Sequence, residues 1–220
     1  MTREPVVLVH GLWMNGSEMA SLRRRLRLEH GFDVHVFSYP TLRDHAADIS
    51  GRLADFADRV SVGHRVHFVG HSLGGTFVYR ALSGNAARFK GNAVLLGSPL
   101  SSCRAAQGVM RWRALRPLIG PHLLREVTSH EERCWKGPGA LGTIAGTRRV
   151  GMGRFFARFD EPNDGTVASS ETVIPGLDDH IELRRSHMGM LVAKDVAAQV
   201  AHFLRHAKFD REGRKPIAVA

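Results

Sequence analysis

The segment Gly70-His71-Ser72-Leu73-Gly74 sets a serine between glycines two residues before and two residues after it. Residues 65–70 read as a short strand and residues 73–83 as a helix, so the serine falls on a strand-to-helix turn. Such a turn is too tight for side chains at the flanking positions. Gly70 and Gly74 relieve the crowding, and Gly75 lets the helix approach the sheet. A serine held there is strained, with its hydroxyl raised above the strand ends. The Leu73 N–H, at the start of the helix, points where an oxyanion would form. This is the chemistry of a nucleophile. The plainer reading is a glycine-rich turn with a passenger serine. A dinucleotide-binding turn is disfavoured, because G-x-G-x-x-G is absent.

A serine hydroxyl needs a base, and the base needs an orienting acid. The chain has 13 histidines, so position must choose. His187 follows the last expected strand and precedes the closing helix, which puts it at the same sheet edge as Ser72. His180 begins that strand, at its opposite end, and is the alternative. His71 adjoins the nucleophile and is expected to point away as a structural residue. The acid is expected between serine and histidine in chain order. Asp164, in Glu161-Pro162-Asn163-Asp164-Gly165, sits on a turn just after the fifth strand. Asp160 and Glu161 are alternatives in the same loop; Asp178 and Asp179, just before the last strand, fit less well.

The loop His10-Gly11-Leu12-Trp13 follows the first strand. Gly11 permits close approach, and the Leu12 N–H is expected as the second oxyanion donor. Trp13, Leu100, Phe155, Phe156 and Met188 are candidate walls of an apolar substrate pocket. For Trp13, and for Met14 beside it, core packing is the alternative; for the segment 148–159 that holds Phe155 and Phe156, it is a core turn flanked by solvated arginines.

The elements that must position these residues alternate. Strands are expected at 6–9, 33–38, 65–70, 93–97, 142–147 and 180–185. Helices are expected at 17–30, 42–60, 73–83 and 188–206. In 42–60, Leu42, Ala46, Ile49, Leu53, Phe56 and Val60 step by threes and fours into one apolar stripe. Alternation of this kind implies an α/β fold: a mainly parallel sheet of about six strands with helices on both faces. Residues 101–140, with Pro117, Pro121, Gly137, Pro138 and Gly139, break the rhythm and read as a small lid-like insertion. From Lys208 to 220 the chain is polar and is expected to be a flexible tail.

The 220 residues suit a single domain with its own core. No apolar run reaches the ~20 residues that span a bilayer. MTREP is not the start of a secretory leader, so a chain that begins here is expected in the cytoplasm. Cys103 and Cys134 fit no zinc or redox spacing and read as reduced thiols. The formal net charge is +10, and most of the excess lies in 101–160. That segment could meet an anionic membrane surface or an anionic substrate. No nucleic-acid module is present.

Taken together, Gly-His-Ser-Leu-Gly-Gly, Pro-Asn-Asp-Gly-Thr-Val and Ser-His-Met-Gly-Met-Leu make the chain resemble the α/β-hydrolase family. It looks most like small bacterial serine esterases and minimal lipases, and like inositol deacylases. The resemblance runs through residues 6–16, 66–75, 93–100, 142–167 and 186–191. It implies a Ser72-Asp164-His187 triad, no cofactor, no metal, and hydrolysis of a small-molecule ester or lipid through an acyl-enzyme. Thioester hydrolysis and acyl transfer would use the same residues. A catalytically silent lipid-binding homologue is the alternative from another class. The chain departs from larger members in having no antiparallel strands before the His-Gly strand. It lacks the calcium ligands of secreted lipases.

Overall fold

Short runs of valine and leucine without alternation belong in strands covered on both sides. The first of them, β1 (Pro5–Val9), is buried at every position. The structure, a computed structural model, describes residues 3–42, 46–63, 65–84, 88–101, 103–110, 133–151 and 159–212. After β1 come α1 (Ala20–Leu28), β2 (Asp33–Phe37), α2 (Ala46–Val60), β3 (His67–His71) and α3 (Leu73–Gly84). They are followed by β4 (Ala93–Leu96), α4 (Arg104–Met110), β5 (Leu141–Gly146), β6 (Asp179–Leu183) and α5 (Lys194–His206).

The six strands form one sheet in the order β2-β1-β3-β4-β5-β6. Every pairing is parallel, with Val9 opposite Gly70, His71 opposite Leu96, and Leu96 opposite Ile144. Side chains alternate between two cores. Val7, Val9, Phe68 and Leu95 face α2 and α3, against Ile49, Leu53, Phe77 and Val78. Val6, Leu8, Val69, Val94 and Ile144 face α1 and α5, against Leu22, Leu26, Val200 and Phe203. The chain steps outward from β1 to β2 and then crosses back to β3. In open α/β sheets the crevice at such a reversal, beyond the strands' carboxyl ends, is where ligands bind. Here it lies between the exits of β1 and β3, where Leu12 and Ser72 stand.

Three expectations change. Helix 42–60 begins only at Ala46, and Leu42 is exposed ahead of it. The helix expected at 188–206 is split into a 3-10 turn, Met188–Leu191, and α5 from Lys194. Extended backbone at Ala193 separates them. Of the expected flexible tail, residues 208–212 are packed down, with Phe209 buried against Phe203 and Arg211 bonded to Asp179, and residues 213–220 lie outside the described residues. Asp210 and Gln199 exchange two hydrogen bonds. Of the expected insertion, residues 102 and 111–132 lie outside the described residues. Trp135 beyond them is buried, its N–H on the Pro175 carbonyl. Among the described residues no helix is long and apolar enough to cross a membrane.

Candidate active site

Ser72 follows the last residue of β3 and has φ +54, in the left-handed region that costs a non-glycine residue free energy. The surroundings hold it there. Its N–H donates to the Leu96 carbonyl at 2.9 Å, continuing the β3–β4 ladder past the strand end. Gly74 fits because a Cβ there would collide with the carbonyls of Val9 and His10. The helix therefore starts hard against the exit of β1. Leu73 is the first residue of α3, in the turn whose N–H groups have no acceptor within the helix.

The loop after β1 meets Ser72 from the other side. A Cβ on Gly11 would lie 3.0 Å from the Ser72 Cβ, so only a glycine fits without displacement. Leu12 comes next. The loop is tied to the chain beyond β2. Tyr39 donates its hydroxyl to the His10 carbonyl at 2.7 Å, and its N–H to His10 Nε2 at 3.3 Å. Its ring stacks on His10 with centroids 4.3 Å apart. Burial pushes the Tyr39 phenol well above its ordinary pKa, so it remains a donor. Trp13 has φ +60, donates its N–H to Thr41 Oγ1, and leaves its side chain 54% exposed.

Asp164 is fully buried, unlike an ordinary turn aspartate. Its Oδ1 accepts the N–H groups of Thr166 at 2.8 Å and Val167 at 2.7 Å. Its Oδ2 lies 2.7 Å from His187 Nδ1. A carboxylate can only accept, so His187 carries its proton on Nδ1 and presents Nε2 as a base. The His187 N–H donates to the Asp164 carbonyl at 2.9 Å, which fixes the two residues twice. Both pack beside Gly97, which follows β4 with φ +52. A Cβ there would stand 2.7 Å from Asp164 Oδ2 and 3.1 Å from His187 Nδ1.

The alternatives are engaged elsewhere. Glu161 pairs with Arg104, which holds its carboxyl below the usual range. Asp160 is exposed. Asp178 accepts the Leu141 N–H, and Asp179 pairs with Arg211. His180 faces Thr143 Oγ1 at 2.8 Å. His71 does not point away: its Nε2 lies 3.1 Å from the His187 carbonyl oxygen.

Of the expected pocket walls, Leu100 is buried in the core on the α2–α3 side, and Met188 is 47% exposed. Phe155 and Phe156 lie outside the described residues. Sequence reasoning missed Met190, whose Cε lies 2.7 Å from where a Gly97 Cβ would be. It also missed Glu171, a buried glutamate whose carboxylate accepts the Ala168 N–H and the Arg104 N–H and Nε–H. Its carbonyl accepts the N–H groups of Leu100 and Ser101. Glu171 thus ties the root of α4 to the loop of Asp164. Cys103, near Glu171, has its thiol pushed up to about 12 by burial and by that carboxylate. Among the described residues no group of three or more His, Cys, Asp or Glu could hold a metal ion.

The chain's fold is shared with solved hydrolases. The mature lipase BlEst2 of Bacillus licheniformis matches at TM-score 0.64 and 18% identity, over 86% of each chain. The metagenomic carboxyl esterase MGS0156 matches at TM-score 0.65 and 19% identity, over 90% of this chain and 74% of its own. The thioesterase domain SrfTE, which cyclises the lipopeptide antibiotic surfactin, matches at TM-score 0.56 and 15% identity, over 92% and 90%. No curated protein sequence matches the chain. A family model described as the alpha/beta hydrolase family matches residues 6–214, nearly the whole chain, and the chain belongs to that family.

Proposed function

We propose that this hydrolase cleaves carboxylic esters through Ser72, His187 and Asp164. The observation that carries the reading is the buried 2.7 Å pairing of Asp164 with His187 at the sheet edge where Ser72 is held at φ +54. Ser72 Oγ attacks the ester carbonyl while His187 Nε2 takes its proton. Asp164, bonded at Nδ1, keeps the ring in the required tautomer and stabilises the imidazolium. The N–H groups of Leu12 and Leu73 receive the oxyanion. Collapse of the tetrahedral intermediate expels the alcohol, which takes the proton from His187. Water then attacks the acyl-enzyme with His187 again as base, releasing the acid and restoring Ser72.

Likeness to a lipase and a carboxyl esterase supports ester substrates, and the apolar side chains of Trp13 and Met188 favour an apolar acyl group. Likeness to a thioesterase domain supports a second reading, thioester cleavage by the same residues.

The test is hydrolysis of p-nitrophenyl esters of rising acyl length, with a matched acyl thioester alongside, by wild type and Ser72→Ala. Wild-type turnover is expected to fall by at least ~10³-fold in the variant. Faster thioester turnover would move the assignment to the second reading. Undiminished activity in Ser72→Ala would remove both.

A further inference from the structure

We infer that His71 is a positioning residue whose Nε2–H clamps the His187 carbonyl, and so sets where the His187 ring stands between Asp164 and Ser72. The inference rests on the proposed roles of those three residues.

His71 is the last residue of β3 and is fully buried. The His187 carbonyl oxygen, 3.1 Å from Nε2, can only accept, so the proton of His71 sits on Nε2. The two rings lie 4.6 Å apart, tilted by 46°. Both bonds described from His187 to the acid loop run to Asp164, one from the ring and one from the backbone N–H. Two bonds to one neighbour leave a pivot about that neighbour. The His71 bond comes from a different element, and from the residue covalently joined to Ser72. It therefore references the base to the nucleophile rather than to the acid. Misplacement of a reacting group by ~1 Å can cost ~100-fold in rate, so such a reference has catalytic leverage.

Two further observations fit this role. His71 Nδ1 is buried with no hydrogen-bond partner among the described residues, although a buried polar atom left unpaired is destabilising. An apolar side chain would fill the space without that penalty, but it could not reach the carbonyl. Burial, with His187 and then His10 nearby, also holds His71 well below the ordinary histidine pKa. It stays uncharged beside a partner that becomes an imidazolium in each cycle.

The experiment compares His71→Leu with His71→Gln, whose side-chain amide can supply an N–H to the same carbonyl. Ester turnover, thermal midpoint and ¹H–¹⁵N spectra of the histidine rings are measured for each. In His71→Leu, kcat is expected to fall by ~30- to 100-fold with KM changed by less than about twofold. His71→Gln is expected to recover to within about fivefold of wild type. In the spectra, wild-type His71 is expected as the Nε2–H tautomer. The His187 Nδ1–H resonance is expected to shift in the leucine variant and to return in the glutamine variant. Equal kcat in both variants, a loss explained by the unfolded fraction, or an Nδ1–H tautomer at His71 would overturn the inference. If His71→Leu does not fold, the wild-type tautomer and the His71→Gln resonance decide. If wild type hydrolyses no ester, the proposed function fails, while the spectra still judge the clamp.

Discussion

Ser72, His187 and Asp164 at the sheet's carboxyl edge have a chemical counterpart in Ser169, His180 and Glu182 beside β6. Both groupings hold a serine, a histidine and a carboxylate, but the bonds run in different orders. In the first, the carboxylate holds the histidine at Nδ1 and leaves the serine, on a strained turn, to itself. In the second, the carboxylate accepts a hydrogen bond from the serine itself, since Ser169 Oγ donates to Glu182. His180 faces a threonine hydroxyl through Nδ1, and its Nε2 stays 3.5 Å from Ser169. Ser169 lies in a 3-10 turn, Ser169–Thr172, and is not among the residues with positive φ. Residue types alone therefore do not make a nucleophile. What separates the two is which group the carboxylate holds: the histidine, at the edge where a strained serine stands, or the serine itself in a cluster beside an edge strand.

The comparison breaks most sharply at the two carboxylates. Asp164→Asn should lower kcat by ~10³- to 10⁴-fold, because the amide can hold the imidazole in the wrong tautomer. Glu182→Gln should leave kcat within about twofold of wild type. Equal losses in the ester assay would put the two groupings on the same footing.

A smaller effect is expected at Glu171, which shares its 3-10 turn with Ser169 and holds the loop of Asp164 to Arg104. Glu171→Gln should lower stability by about 1–3 kcal/mol, read as a drop in the urea midpoint. Breaking a fully buried pair would cost more, but Arg104 is partly exposed and water can take up its charge. An unchanged midpoint would mean that the loop holds Asp164 unaided.

The smallest effect distinguishes the two histidine environments through pH. Burial holds both His71 and His180 below the ordinary value of 6.5. His71 is lowered further by the proximity of His187 and His10, against the bond to the His187 carbonyl, which raises it. His180 has Glu182 and Asp179 pulling it back up, and Arg211 pushing it down. Below pH 6.5 the unfolded chain binds protons that the folded chain refuses. Stability from these groups is therefore complete above that pH and declines as the pH falls through it toward the folded values. The urea midpoint should drop on acidification below 6.5, and His71→Gln should flatten that drop more than His180→Gln. The reverse ranking would remove the stated difference between the two pockets.

The βα units were legible because each buried strand is a compact apolar run closed by glycine, proline or histidine. Ser72 was legible because its glycines sit where a tight elbow needs them, and His187 because it follows the last strand instead of opening it. The split in the last helix was not, since Leu191 and Val192 continue the apolar spacing. What interrupts it is a tight turn in which the Met190 N–H bonds the Ser186 carbonyl, directly beside His187. The end of the chain misled for a similar reason. One aromatic, Phe209, decides the packing of a stretch that is otherwise polar. Glu171 reads locally as part of a polar turn, and its burial depends on Arg104, 67 residues away. The direction of the His71 ring is likewise fixed by a residue 116 positions later. Contacts that distant leave no periodicity to read.

The strand order carries a consequence for the chain as it leaves the ribosome. Domains fold as they emerge, amino terminus first. The first four strands, β2-β1-β3-β4, can pair without anything that follows, and they include the elbow of Ser72. Asp164 emerges with the loop after β5, and His187 only after β6, the outermost strand on that side. A nascent chain that has reached Asp178 holds the proposed nucleophile and its acid but no base between them. On the proposed roles, the hydroxyl of Ser72 would stay chemically ordinary until the residues beyond β6 have emerged. Reactivity would arrive in one late step, once the sheet around it has closed.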